Sequence, residues 1–242
     1  MASGSAESSA VPHIPFPKGR GGLGTHRWFL SRRLWNDINH AGRHMHGRML
    51  DLGCGFKPYE PLFASRVSQH LGFDLPQSLD FRGSKAQVTG SAAALPFADG
   101  SFDSVLCTQM LDDFPEPSVI LNEITRVLAP GGIALVTVNQ LYPVHDPPYD
   151  FYRFTRYGFE YQVKRAGLSV VEFRATGGQW MTIGILLLLR MWALFDKIPL
   201  IRKLTFIPTI SGFLTGLFFD ILDRIDPVWA GSPNLLIVAK KE

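Results

Sequence analysis

The chain has 242 residues, 46% of them hydrophobic, with a formal net charge of +3 and two cysteines. That length suits one well-packed domain with an added lobe and leaves little room for two, while two cysteines exclude a disulfide scaffold. The small charge gives no ground for a DNA partner, and the first residues, with neither a basic head nor an apolar core, do not read as a signal peptide, so a reduced, cytoplasmic protein is the expectation.

Residues 1–25 are rich in Ser, Ala, Gly and Pro and predict a disordered tail, with the folded domain running from 26 to 242. Over 26–46, apolar Trp28, Leu34, Trp35 and Ile38 alternate with Arg27, Arg32, Arg33 and Arg43, which predicts an amphipathic N-terminal helix. His40 and His44 are one helical turn apart and His46 follows. The spacing is compatible with a metal, but no neighbouring Cys or carboxylate completes a set. These are read as solvated histidines, and no metal site is expected.

The apolar run Met49-Leu50-Asp51-Leu52 stops at Gly53-Cys54-Gly55. It predicts a strand that ends in a tight ligand-binding turn, where Gly53 and Gly55 admit a ligand against the main chain and Asp51 supplies a negative neighbour. Gly-x-Gly also opens the dinucleotide fingerprint, but the position of that motif's third glycine is Pro58 here. A helix is predicted over Tyr59–Val67. A second strand, Gln69–Asp74, also ends in an acid, followed by Leu75. Asp74 lies 19 residues beyond Gly55, close to the separation of about 20 at which an acid reaches a ribose in nucleotide-binding α/β folds.

Farther on, Gly90-Ser91-Ala92 leads into Leu95-Pro96-Phe97-Ala98-Asp99-Gly100-Ser101-Phe102-Asp103. Asp99-Gly100 is a turn into a strand from Phe102 to Cys107. Pro117 opens a helix whose Ile120, Ile124, Val127 and Leu128 share a face, and Pro130-Gly131-Gly132 ends it before a strand over Ile133–Val138.

The stretch Asp51-x-Gly53-x-Gly55 resembles motif I of the class I S-adenosylmethionine-dependent methyltransferases. The "LPF..GSFD" and "E..RVL.PGG" registers, the second beginning at Glu123, resemble the type 11 group of that family over residues 48 to 138. The resemblance implies an α/β, Rossmann-like fold: a seven-stranded, mostly parallel sheet with an antiparallel last strand and a helical insertion before it. It further implies S-adenosylmethionine as cofactor. Asp51, Gly53, Cys54 and Gly55 would lie at its methionine end, Asp74 and Leu75 at the ribose, Ser91 and Ala92 at the adenine, and Gln109 toward the methyl. The chain departs from the group at Ser91, where Asp is common, and at Leu111-Asp112-Asp113, where the group commonly has "L.H".

After the fifth strand comes Tyr142-Pro143-Val144-His145-Asp146-Pro147-Pro148-Tyr149-Asp150-Phe151-Tyr152-Arg153-Phe154-Thr155. Asp146-Pro147-Pro148-Tyr149 reads like the motif of amino-group methyltransferases, but that motif follows strand four. The whole segment is similar to the "YP.H..P.D.YRFT..G" stretch of a bacterial type 11-like subgroup. Loops at the carboxyl ends of parallel strands are where ligands sit, so His145, Asp146, Tyr152 and Arg153 are the catalytic candidates. His145 is the base if the acceptor is a hydroxyl, since imidazole ordinarily titrates near neutral pH. The plainer alternative is that these residues pin the loop.

A helix over Thr155–Ala166 capped by Thr155 and strands over Leu168–Phe173 and Leu235–Ala239 complete the sheet. Between the last two, 178–225 is an apolar insertion, too interrupted by Arg190 and Pro208 to span a bilayer. It predicts a hairpin of helices over Gln179–Phe195 and Leu204–Leu222, with Gly212 and Gly216 allowing close approach. Arg190, Lys197, Arg202 and Lys203 gather near its bend. The apolar surface must be covered as a lid, a homodimer interface or a membrane surface through 181–222. The functional expectation is methyl transfer to a small-molecule, lipid-linked or sugar-linked acceptor, by O-methylation. The alternatives are a non-catalytic S-adenosylmethionine-binding accessory protein and methylation of a protein or RNA nitrogen.

Overall fold

The computed structural model describes residues 26–77, 83–145, 147–195, 197–198 and 206–242. The predicted tail, Asp146, Arg202 and Lys203 lie outside these residues.

The strands are β1 (Arg48–Leu52), β2 (Gln69–Asp74), β3 (Val88–Thr89), β4 (Phe102–Thr108), β5 (Leu128–Asn139), β6 (Leu168–Thr176) and β7 (Asn234–Lys241). They form one sheet in the order β3-β2-β1-β4-β5-β7-β6. β1 pairs parallel with both β2 and β4, and only β7 runs antiparallel to its neighbours β5 and β6. The strand order reverses between β1 and β4, so a crevice opens beyond their carboxyl ends, the position at which open α/β sheets bind ligands.

The helices are α1 (His26–Ala41), α2 (Glu60–Phe63), α3 (Pro117–Val127), α4 (Arg156–Arg165), α5 (Gln179–Phe195) and α6 (Phe206–Ile225). Alternation along the strands divides the core into two layers. Leu50, Leu52, Val105 and Cys107 face α3 and α4 with Ile120, Ile124, Phe159 and Val163, whereas Met49, Leu106 and Leu135 face α1 through Trp35 and Ile38. Thr155 caps α4 as expected, its side chain accepting from the Gly158 N–H at 3.1 Å.

Two expectations need correction. α2 has four residues rather than nine, and the chain to Val67 continues as turns closed on the Phe63 carbonyl at 2.9 and 3.1 Å, while Arg66 reaches across to Asn39. The histidines of the first helix do meet a carboxylate, which the chain brings from far away. His44 Nε2 lies 3.0 Å and His40 Nε2 3.8 Å from Glu172, but Arg43 and Arg174 occupy the same carboxylate at 2.9 and 2.6 Å. Burial pushes the Glu172 carboxyl up, and hydrogen bonds from Arg174 and His44 outweigh it and hold it below its usual range. This is an ion-pair network that ties α1 to β6.

The insertion forms the expected hairpin. Two glycines set its spacing: a Cβ on Gly184 would lie 2.8 Å from Phe219, and one on Gly216 would lie 2.4 Å from the Phe29 ring. Gly216 therefore receives α1, while α5 and α6 meet at Gly184. Arg33 of α1 holds Asp220 of α6 at 2.7 Å. Asp223 accepts from the main chain of Gly178 at 2.8 Å and Met181 at 3.3 Å, fixing the start of α5.

Candidate active site

The turn after β1 has the backbone its glycines predict. Gly53 and Gly55 have φ of +70° and +49°, and Lys57 follows at +53°. Met110 closes over Gly53, where a Cβ would meet its sulfur at 2.6 Å, but a Cβ on Gly55 would meet nothing within 4 Å. The turn is sewn to β2: the N–H groups of Gly53 and Cys54 donate to the Phe73 carbonyl at 2.9 and 3.1 Å. Asp74 completes the frame, its Oδ2 accepting from Gly55 N–H at 2.9 Å and Ser84 Oγ at 3.2 Å, and its Oδ1 from Leu75 N–H at 2.8 Å. Leu75 itself is exposed.

Asp51 lies beneath this turn rather than at its surface. Its carboxylate is buried and bonded to His70 Nε2 at 2.8 Å. Burial raises its pKa against the pull of His70. Lys57, also buried, donates to the His70 carbonyl at 2.9 Å. Cys54 is a free thiol pushed up to about 12 by burial, and Cys107 is buried and pushed up by the same cause, so neither side chain offers a thiolate.

On the far side of the crevice, Gln109 follows the last residue of β4 with φ +52°, a conformation rare outside glycine and enriched at functional sites. Its N–H donates to the carbonyl and hydroxyl of Thr137, both at 3.1 Å, and its side-chain amide donates to the same hydroxyl at 3.1 Å. Ser91 is exposed and its hydroxyl accepts from Ala93 N–H at 3.3 Å. Ala92, next to it, belongs to the buried core.

The loop after β5 is pinned from within. Arg153 clamps Asp150 through both guanidinium ends at 2.5 and 2.7 Å and donates to the carbonyls of Tyr142, Pro143 and Tyr152. These bonds hold the Asp150 carboxyl down at about 2. The Tyr152 hydroxyl donates to the Pro115 carbonyl at 2.7 Å. Arg153 and Tyr152 thus build the loop, the plainer of the two readings. His145 is oriented by it, its N–H on Asp150 Oδ2 at 2.9 Å and its Nδ1 3.4 Å from the same oxygen. Tyr142 stands edge-on to the His145 ring at 5.5 Å and packs against the apolar cluster at the base of the hairpin.

Lys57, His70, Ser84 and Met110 are the site neighbours that spacing alone did not bring forward. Nothing in their local sequence marks them, because each acquires its role through the pairing of β1 with β2, the loop after β2 or the turn after β4.

The family description "Methyltransferase domain", type 11, matches residues 50–136. That segment is similar to the type 11 methyltransferase domain over the stretch that carries β1 to β5. An uncharacterized methyltransferase of Mycobacterium sp. strain JLS is 34% identical over 94 residues, 37% of each chain. A ubiquinone biosynthesis O-methyltransferase of Dechloromonas aromatica is 32% identical over 124 residues, 44% of this chain and 50% of that protein. The chain thus spans half or less of the length of these curated relatives. The fold extends farther: an S-adenosylmethionine-dependent methyltransferase from Mesorhizobium loti superposes with a TM-score of 0.55 at 15% identity, covering 88% of this chain and all of the other. In the methyltransferase domain, Glu123 and Arg126 give the "E..RVL" register a physical meaning. Arg126 binds both Glu123 oxygens at 2.7 and 2.9 Å, Asp99 at 2.7 Å and the carbonyls of Leu95 and Phe97, and Glu123 accepts from Leu95 N–H at 2.7 Å. One motif clamps the other at the amino ends of β4 and β5, at the opposite end of the sheet from the crevice.

Proposed function

We propose that the protein transfers a methyl group from S-adenosylmethionine to an oxygen of a small acceptor that is itself lipid-linked or lipid-soluble. The observation that carries this reading is the Gly53–Gly55 turn, open above Gly55 and hydrogen-bonded to Asp74 at the reversal of strand order. The open space leaves room for a ligand against the main chain, and the Asp74 carboxylate retains lone pairs for ribose hydroxyls. The cofactor carries an already activated methyl group, so the chain need only bind, orient and exclude water. Gly53 and Gly55 hold the methionine end in this reading, and Gln109, just past β4, faces the methyl. His145, its ring oriented by Asp150, accepts the proton of the acceptor hydroxyl.

The hairpin supports the lipid side of the reading. Ile183, Leu186, Leu187 and Leu194 on α5 are exposed at helical spacing, as are Ile210, Leu214, Phe218, Ile221 and Ile225 on α6. Exposed apolar stripes on both helices exceed the scattered apolar residues of an ordinary surface. No described helix is long and apolar enough to cross a membrane, so the contact we propose is with the surface layer of a bilayer. The Dechloromonas relative is named for ubiquinone biosynthesis, and an apolar acceptor of that general kind would be met at such a surface. Tyr142 provides the link, touching the hairpin base on one side and His145 on the other.

Calorimetry with S-adenosylmethionine, followed by transfer of labelled methyl to detergent-dispersed phenolic and polyprenyl-linked acceptors, tests the proposal. Saturable binding and labelled product are expected. Binding without product in any acceptor class would support an accessory role instead, and absence of binding would end both readings.

A further inference from the structure

The turn after β4 and the loop after β5 come together on a group of side chains that the methyl-transfer reading uses only in part, through His145 and Asp150. Asp112, Asp113, His145 and Asp150 each present one ligand atom, and these atoms lie within 4.8 Å of one another. Asp112 is fully buried. Its Oδ2 accepts from the Asn139 side-chain amide, whereas its Oδ1 has no hydrogen-bond partner. A buried carboxylate oxygen left unpaired is costly, and in a native fold it calls for an explanation such as an ion. Charge points the same way. Three carboxylates converge here, and the guanidinium of Arg153 is already taken up by Asp150.

We propose that Asp112, Asp113, His145 and Asp150 form a divalent-cation site at the carboxyl ends of β4 and β5. Carboxylates with a single imidazole favour Mn2+ or a similar hard-to-borderline ion, and the imidazole disfavours Ca2+. Around a hexacoordinate ion with bonds of about 2.2 Å, trans ligand atoms are about 4.4 Å apart and cis ones about 3.1 Å, so the set would draw together on the ion by side-chain movement. The outer partners are already placed: Asn139 on Asp112 and Arg153 on Asp150, the kind of support that fixes ligand orientation. The open coordination positions would take oxygens of a ligand, such as a hydroxyl or a phosphate. A ligating nitrogen of His145 cannot also accept the acceptor's proton, and a bound cation would replace that role by lowering the pKa of a coordinated hydroxyl.

The site shares His145 with the methyl-transfer reading, but the experiment needs neither cofactor nor acceptor. The full-length protein, stripped with chelator, is titrated with Mn2+ by calorimetry and by electron paramagnetic resonance. One Mn2+ per chain is expected, with modulation from a coordinated imidazole nitrogen that disappears in His145→Gln. Asp112→Asn should weaken binding at least about tenfold, since loss of a ligand costs no less than loss of an outer partner. If Asp112→Asn does not fold, Asp113→Asn, at the less buried end, is measured for the same loss. Absence of saturable binding up to millimolar Mn2+ overturns the proposal. So does binding that survives in both Asp113→Asn and His145→Gln, because the ion is then elsewhere.

Discussion

The Gly55 main-chain N–H donates to Asp74 Oδ2 at 2.9 Å, making the turn after β1 and the acid that ends β2 one hydrogen-bonded unit. Asp74→Ala therefore removes an acceptor from the turn as well as a candidate ribose ligand. S-adenosylmethionine affinity is expected to fall by about 1.5–3 kcal/mol, the range for hydrogen bonds to a charged group. Calorimetry with parallel thermal unfolding separates the two effects. Unchanged affinity removes Asp74 from the site.

Gly55 allows a sharper separation. A Cβ there meets no neighbour, so Gly55→Ala costs the fold only the left-handed backbone, about 1–2 kcal/mol. A ligand seated against the turn would collide with the new methyl group. The expected result is a folded protein with cofactor binding reduced far more than stability. A variant that binds as the parent does would mean that the ligand lies elsewhere.

The Glu123–Arg126 clamp predicts a dependence on acid. Hydrogen bonds from Arg126, followed by that from Leu95 N–H, hold the Glu123 carboxyl below its ordinary value. The unfolded chain binds this proton more readily, so the clamp's contribution is complete above the usual glutamate pKa, near 4.3, and is lost as pH falls through the lower folded value. Glu123→Gln should lower stability by about 1–3 kcal/mol at neutral pH. The gap between variant and parent should narrow in unfolding curves taken below about pH 4. A gap independent of pH would mean that the carboxylate charge contributes nothing.

The sheet was legible because each strand end carried a chemical marker. Asp51-x-Gly53-x-Gly55, Asp74, Asp99-Gly100 and Pro130-Gly131-Gly132 are all turn signals at the ends of apolar runs, and Thr155 announced its helix by capping it. β3 escaped notice because two residues, Val88 and Thr89, show no periodicity. The site was less legible for a topological reason. Asp112 and His145 share one cluster, but the helix α3 and the whole of β5 separate them in the chain. The Glu172 carboxylate likewise reaches His44 from 128 residues away. Arg153 illustrates the opposite limit: its residue type suggested catalysis, and only its five bonds to Asp150 and the loop carbonyls reveal a clamp.

The last prediction concerns the outer face of the hairpin. Its exposed residues recur on α6 at Ile210, Leu214, Phe218, Ile221 and Ile225, a single stripe along the helix, and α5 presents Ile183, Leu186, Leu187 and Leu194 alongside. Arg190 and Lys197, both exposed, lie toward the bend, where anionic headgroups would each contribute about 1 kcal/mol. In flotation assays the protein is expected to rise with anionic vesicles more than with neutral ones. Arg190→Glu with Lys197→Glu should abolish the preference, and Leu214→Glu with Phe218→Glu should abolish flotation altogether. Because all four side chains are exposed, these changes should shift unfolding by no more than about 0.5 kcal/mol each. Sedimentation of the parent distinguishes the competing arrangement: a dimer that dissociates in Leu214→Glu with Phe218→Glu, and that never floats, would assign the stripes to a second copy of the chain.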